Sequence, residues 1–172
     1  MAAKPEKPSP YPYFTDSDLP EKLRYWCQPD GDDKALPIML YGFVVPDGYE
    51  RVKRCTEELG LEMDSPNLKQ TSNEVFEAVK ATLLFGRYIW VQFHLPRITW
   101  SSALRLDGSK CQLFLAFYSN EDPQSSHEPY AGEDGLAAIK TAHEALELPA
   151  DVEPYWYFSA ASTNLRRFKL AE

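Results

Sequence analysis

The chain reads as an α+β protein: a twisted sheet of four to six strands, mixed or antiparallel, with about three helices packed on it. Three features predict this. Apolar runs of strand length alternate with longer segments whose apolar residues recur at a helical period. Asp107-Gly108 separates two such runs, and Asp-Gly favours the type I′ turn of a hairpin because both central residues need positive φ. The resulting order, β-α-α-β-β-β-α-β, holds three consecutive strands, which excludes a purely parallel sheet. If 98–106 is a loop instead, the order becomes β-α-β-β-α-β, the ferredoxin-like split unit.

The 172 residues are 44% hydrophobic and 13% aromatic, enough to pack a core. The net charge of -8 disfavours a nucleic-acid partner, whose phosphates call for Lys and Arg; Arg166-Arg167-Phe168-Lys169 near the end is read as the one basic run. Lys110–Phe117 shares only Lys110, Phe114, Leu115 and Phe117 with the octamer of RNA-recognition motifs, and lacks its glycine. Cys27, Cys55 and Cys111 are odd in number and far apart, as in a cytoplasmic or nuclear protein with reduced thiols. No apolar stretch is long enough for a membrane span, and Met1–Pro8 has no apolar signal core.

Residues 1–37 are set apart as an arm by Pro5, Pro8, Pro10, Pro12, Pro20, Pro29 and Pro37. Tyr11, Tyr13, Phe14, Leu23, Tyr25 and Trp26 predict that it packs on the domain at 38–160, with at most a short turn at 19–26. Residues 38–45 are apolar on both faces, as in a central strand. Asp47 and Glu50 have capping-box spacing for a helix over 48–59. That helix would bury Tyr49, Val52, Cys55 or Thr56, and Leu59, and stop at Gly60. A second helix, 72–85, is capped by Thr71 or Ser72, buries Val75, Phe76, Val79, Leu83 and Leu84, and stops at Gly86.

The stretch 88–95 alternates strictly. Ile89, Val91, Phe93 and Leu95 are apolar, while Tyr88, Trp90, Gln92 and His94 each carry a polar atom, so it reads as a strand with one face in the core. Strands over 98–106 and 110–118 flank the Asp-Gly turn. A polar, acidic loop spans 119–132; a helix over 134–147 turns Leu136, Ile139, His143 and Leu146 inward; 155–158 is the last strand, and 161–172 a tail.

The eight-element order resembles the core of the acetyl-coenzyme-A-dependent N-acetyltransferase fold over about residues 38–160. The resemblance implies a pyrophosphate loop where 110–118 meets 134–147. His127–Gly135 stands there instead, with glycines three apart and Glu133-Asp134 where phosphate would bind. No cofactor is therefore expected. Nor is a metal, since no H-x-x-x-H or C-x-x-C occurs.

His127 reads as a solvated loop residue and His143 as the edge of a helix's buried face. His94, beside Trp90 and Gln92, is either a solvated strand end or a general base. The sequence thus predicts a binding module. Its aromatic sheet face, Tyr88, Trp90, Gln92, His94, Tyr41 and Tyr118, would take a partner protein, a second copy of the chain or a small apolar ligand. The alternative is a small-molecule enzyme, acyltransferase-like or built on His94.

Overall fold

The computed structural model describes residues 13–20, 23, 37–62, 73–95, 98–104, 110–122 and 124–160. The Asp107-Gly108 turn, the Thr71 and Ser72 caps, most of the proline-rich arm, Cys27 and the 161–172 tail lie outside them. The class is α+β, with one antiparallel five-stranded sheet and four helices among the described residues. Strands are β1 (Tyr13–Phe14), β2 (Met39–Val44), β3 (Thr99–Leu104), β4 (Lys110–Ser119) and β5 (Tyr155–Phe158). Helices are α1 (Tyr49–Glu58), α2 (Glu74–Phe93), α3 (Gln124–Ala131) and α4 (Glu133–Ala145). The sheet runs β1-β5-β2-β4-β3.

Strand β2 forms where Pro37 and Pro46 bracket an apolar run, and it lies centrally between β5 and β4. A turn with positive φ at Asp47 and Gly48 feeds α1. The expected capping box is absent. Gly48 is the N-cap, and the Asp47 carboxylate instead takes a 3.0 Å ion pair from Arg51. Arg51 also donates to the carbonyls of Pro46, Leu146 and Glu147, so one side chain ties the start of α1 to the end of α4. Gly60 does stop the helix, with Leu61 N–H on Thr56 O and Gly60 N–H on Glu57 O, the paired bonds of a Schellman close. Val52, Cys55 and Thr56 are buried, whereas Tyr49 and Leu59 face solvent.

The largest departure from the sequence reading lies at 88–95. No strand forms there. Helix α2, capped by Asn73 Oδ1 on Val75 N–H (3.0 Å), continues through Gly86 to Phe93 and ends at His94 in the left-handed region. The reason is burial at a helical period. Ala81, Leu84, Phe85, Tyr88 and Ile89 recur three and four apart on one arc facing the core. A helical Gly86 costs only about 1 kcal/mol, less than that arc gains. Alternation therefore fails as a guide: Ile89 and Leu95 are buried, but Val91 is exposed. The eight-element order falls with the strand, and with it the likeness in order to acetyltransferases.

Two further segments differ. The expected loop 119–132 contains α3, held by His127 and by Asp122, which accepts from Ser119 N–H and Oγ (2.6 and 2.9 Å). On α4 the buried residues are Gly135, Ala138 and Ala142, with Leu146 at its end, and Leu136 points outward. Gly135 sets that phase. A Cβ on it would lie 2.3 Å from Tyr130 Cα and 2.4 Å from Pro129 O, so α3 presses directly on the α4 backbone.

The helices cover one side of the sheet, where Phe43, Val45, Leu113, Leu115 and Phe117 meet Val52, Phe85, Ile89 and Ala142. On the other side Leu40, Ala103, Phe114, Ala116 and Tyr157 form a second buried cluster. The sheet curls around it: Ala103 bridges Ser159, and Ala160 N–H donates to Ser102 O (2.7 Å), bringing β3 back to the end of β5. A third cluster seats Phe14, Leu19 and Leu23 against Met39, Trp156 and Phe158. Asn120, fully buried, ties that seam, accepting from Met39 N–H (2.8 Å) and donating to Leu23 O and Pro37 O.

Candidate functional site

Helix α2 carries apolar residues on two sides. Its inner arc anchors it. On its outer side Val75, Val79, Leu83, Gly86 and Trp90 follow one another four, four, three and four apart, which aligns them in a single stripe. These are four of the large apolar residues most open to solvent: Val75 is 68% exposed, Val79 48%, Leu83 45% and Trp90 53%. The sequence reading had placed Val75, Val79 and Leu83 inside. The structure reverses them and leaves Leu84 buried.

The C-terminal half of the stripe opens into a groove of about 420 Å³ between α2 and β3, lined by Thr82, Leu83, Gly86, Arg87, Trp90, Ile98 and Trp100. That volume lies within the range of ligand sites, roughly 300–1,000 Å³. Gly86 makes the floor. A Cβ there would stand 3.7 Å from Ile98 Cγ1 and 4.0 Å from Trp100 Nε1, ordinary contact distances, so the missing side chain adds depth to the groove without being required for the approach of β3. Trp100 is fixed by its indole N–H, which donates to Thr82 O (2.8 Å), and by an edge contact with Phe85. No described residue hydrogen-bonds the Trp90 indole; its ring meets His94 edge-on at 6.4 Å. Two indoles, one fixed and one open, thus line the groove. Arg87 lies on its rim, and no described residue forms an ion pair with it.

The six residues expected on one sheet face are dispersed. Trp90 and His94 are neighbours one turn apart. Gln92, about 200° around the helix from Trp90, is exposed elsewhere. Tyr88 is half-buried beside Phe85 (6.2 Å) and belongs to the core. His94 closes α2 at φ 53°, its backbone N–H on Trp90 O (2.8 Å), and no described group hydrogen-bonds its ring. A general base needs a partner that orients it, and the described neighbours supply none.

Tyr41 on β2 and Tyr118 on β4 are stacked on each other at 4.7 Å. His127 stacks on Tyr118 (4.5 Å), and Trp156 closes the group edge-on. The sequence had made His127 a solvated residue. Instead its Nε2 donates to Ser119 O (2.8 Å), since a carbonyl only accepts, which also fixes the tautomer. Trp156 Nε1–H donates to Asp16 Oδ1 (2.7 Å). Burial, with Asp16 and Glu153 adding negative charge, pushes the Tyr41 phenol up to about 12, and burial with Asp122 nearby raises Tyr130 further. Both phenols are neutral at physiological pH. These rings pack on one another, and the group forms a seam between the sheet and Phe14, Leu19 and Leu23.

His143 sits at the edge of the core as expected, edge-on to Phe43 with Nε2 on Pro149 O (3.1 Å). Cys55 is a buried free thiol, and burial raises its pKa, with Glu147 contributing. Glu133 and Asp134 occupy the first turn of α4, so that helix end presents negative charge. Among the described residues no three His, Cys, Asp or Glu side chains converge as metal ligands, and no helix is long and apolar enough to cross a membrane. The chain matches no family model, no curated protein and no solved structure.

Proposed function

We propose that this protein is a binding module that recognises a partner protein through the outer side of α2 and the groove beside β3. The observation that carries this reading is Trp90, an open indole over a concave floor in line with three other exposed apolar side chains. Contiguous apolar surface is costly to leave in water, and Trp and Arg dominate the energetics of interfaces. The surface expected on the sheet moves to α2 in this reading, because Leu40, Phe114 and Tyr157 on the sheet's far side are buried. A reducing compartment, cytoplasm or nucleus, suits the free thiol of Cys55.

The test is selection of random linear peptides displayed on phage, followed by affinity measurement on the wild type and on Trp90→Ala. Trp90 is half in water, so its loss should lower stability by about 1 kcal/mol, or roughly 2–4 °C in Tm. Binding should weaken at least about tenfold. The reading fails if no peptide is enriched, or if Trp90→Ala binds the enriched peptides as tightly as the wild type does.

A further inference from the structure

Resting on that reading, we infer that the groove's occupant is an extended peptide segment of a partner protein, added as a strand to the outer edge of β3, with an acidic side chain on Arg87. Three observations meet here. The first is the backbone of β3. It ends the sheet's strand order, pairing with β4 through Thr99↔Ala116, Trp100↔Leu115, Ser101↔Phe114 and Ser102↔Leu113. Ser159 and Ala160 meet its outer edge at Ala103 and Ser102, so the part of that edge open among the described residues lies before Ser102. Ser102 O points away from β4, because it accepts from Ala160 N–H. Backbone direction alternates along a strand, so the N–H and C=O of Trp100, two residues earlier and before the register shift, point outward too. No described residue pairs with them. Exposed strand edges are templates for main-chain pairing.

The second observation is where that edge lies. Ile98 and Trp100 line one side of the groove, while Leu83 and Trp90 form its opposite wall, with Gly86 between them at the foot of that wall. A strand laid along Trp100 would send every second side chain between the two indoles and over Gly86, the one position on that wall without a side chain. Backbone pairing and an apolar anchor are therefore available to the same residue spacing.

The third is charge. In a chain with 26 acidic and 18 basic residues, Arg87 stands at the rim without an ion pair among the described residues. The ion pair on its own helix is Lys80 with Glu77, at 3.8 Å. A guanidinium beside apolar surface fits a carboxylate. That carboxylate belongs to an Asp or Glu side chain rather than a chain terminus, because terminal capture uses clustered backbone N–H groups. Here the wall's own amides are engaged within α2. A second copy fits less well: two α2 stripes packed antiparallel would set the Lys80–Arg87 flanks against each other.

The experiment uses the full chain and an enriched peptide, synthesised and labelled with fluorescein. Methylating successive peptide amides should weaken binding about tenfold or more at alternate positions and little between them. Exchange of the Trp100 amide should slow when the peptide binds. Arg87→Gln should weaken binding roughly tenfold, and removing the peptide's carboxylate should then cost no more. Binding that depends on Trp90 but leaves Trp100 exchange unchanged, as for a docked helix, overturns strand addition and leaves the module reading standing. A concentration-dependent dimer abolished by Trp90→Ala assigns the face to a second copy and overturns it as well. With no peptide enriched, both readings fall.

Discussion

Replacing Gly86 by Ala tests the continuity of α2 with an effect whose sign differs between the two ways of reading this stretch. In a helix interior Ala is favoured over Gly by about 0.8–1 kcal/mol, because glycine gives up more backbone freedom on folding. Positive φ among the described glycines is confined to Gly48 and Gly60, so Gly86 has no left-handed conformation for a side chain to strain. The new methyl would meet Ile98 Cγ1 at 3.7 Å and Trp100 Nε1 at 4.0 Å, ordinary contact distances. The net expectation is a gain of about 0.5–1 kcal/mol, or roughly 1–4 °C in Tm for a chain of this size. Had Gly86 been the left-handed stop of a shorter helix, the same methyl would cost about 1 kcal/mol or more. Calorimetry with a urea titration of unchanged slope reads the sign directly. A fall in Tm would refute the continuous helix. The methyl also stands on the groove floor, so a stabilised variant that binds the enriched peptides less well would locate them over Gly86.

Asn120→Leu removes the partner of Met39 N–H and strands the carbonyls of Leu23 and Pro37, all at a fully buried position. The loss should be about 3–5 kcal/mol, read by urea unfolding, and a loss under about 1 kcal/mol would show that the 19–23 segment is not fastened there. Tyr41 titrates at about 12 in the fold, against 10 when unfolded. Between those values the unfolded chain has released a proton that the folded chain keeps, so its contribution is complete below pH 10 and is lost as pH rises toward 12. Tyr41→Phe should flatten that alkaline decline in unfolding experiments; an unchanged slope would contradict burial of the phenol.

Much of the fold is legible in the residues because its signals are local. Met39–Val44 is apolar on both faces and bracketed by prolines, and it is the central strand. Gly60 closes α1 with the bonds its position implies, β3 and β5 lie within the segments expected of them, and β4 and α4 each overrun theirs by one residue. What could not be read is phase. Whether Leu136 or Ala138 faces inward on α4 depends on Gly135 touching Tyr130, a contact between elements. Whether 124–131 coils into α3 depends on His127 finding Ser119 O and the Tyr118 ring. Neither partner lies at a spacing that periodicity can reveal.

The same feature hid α2 and marks the candidate site. A helix needs one apolar arc to hold it on a sheet. When it carries a second arc, inward and outward residues interleave, and 88–95 then shows alternation indistinguishable from a strand's. Trp90 read as the polar face of that strand, and Val75, Val79 and Leu83 read as the core of a shorter helix. Both assignments assumed that large apolar side chains point inward. In the fold, Phe85 and Ile89 supply that burial, while Val75, Val79, Leu83 and Trp90 remain about half or more in water. They add little to folding and leave apolar surface exposed. Such a surplus of apolar surface, beside strand-edge backbone groups and an arginine that no described residue pairs with, is what a second protein segment could desolvate with profit to the complex rather than to the fold.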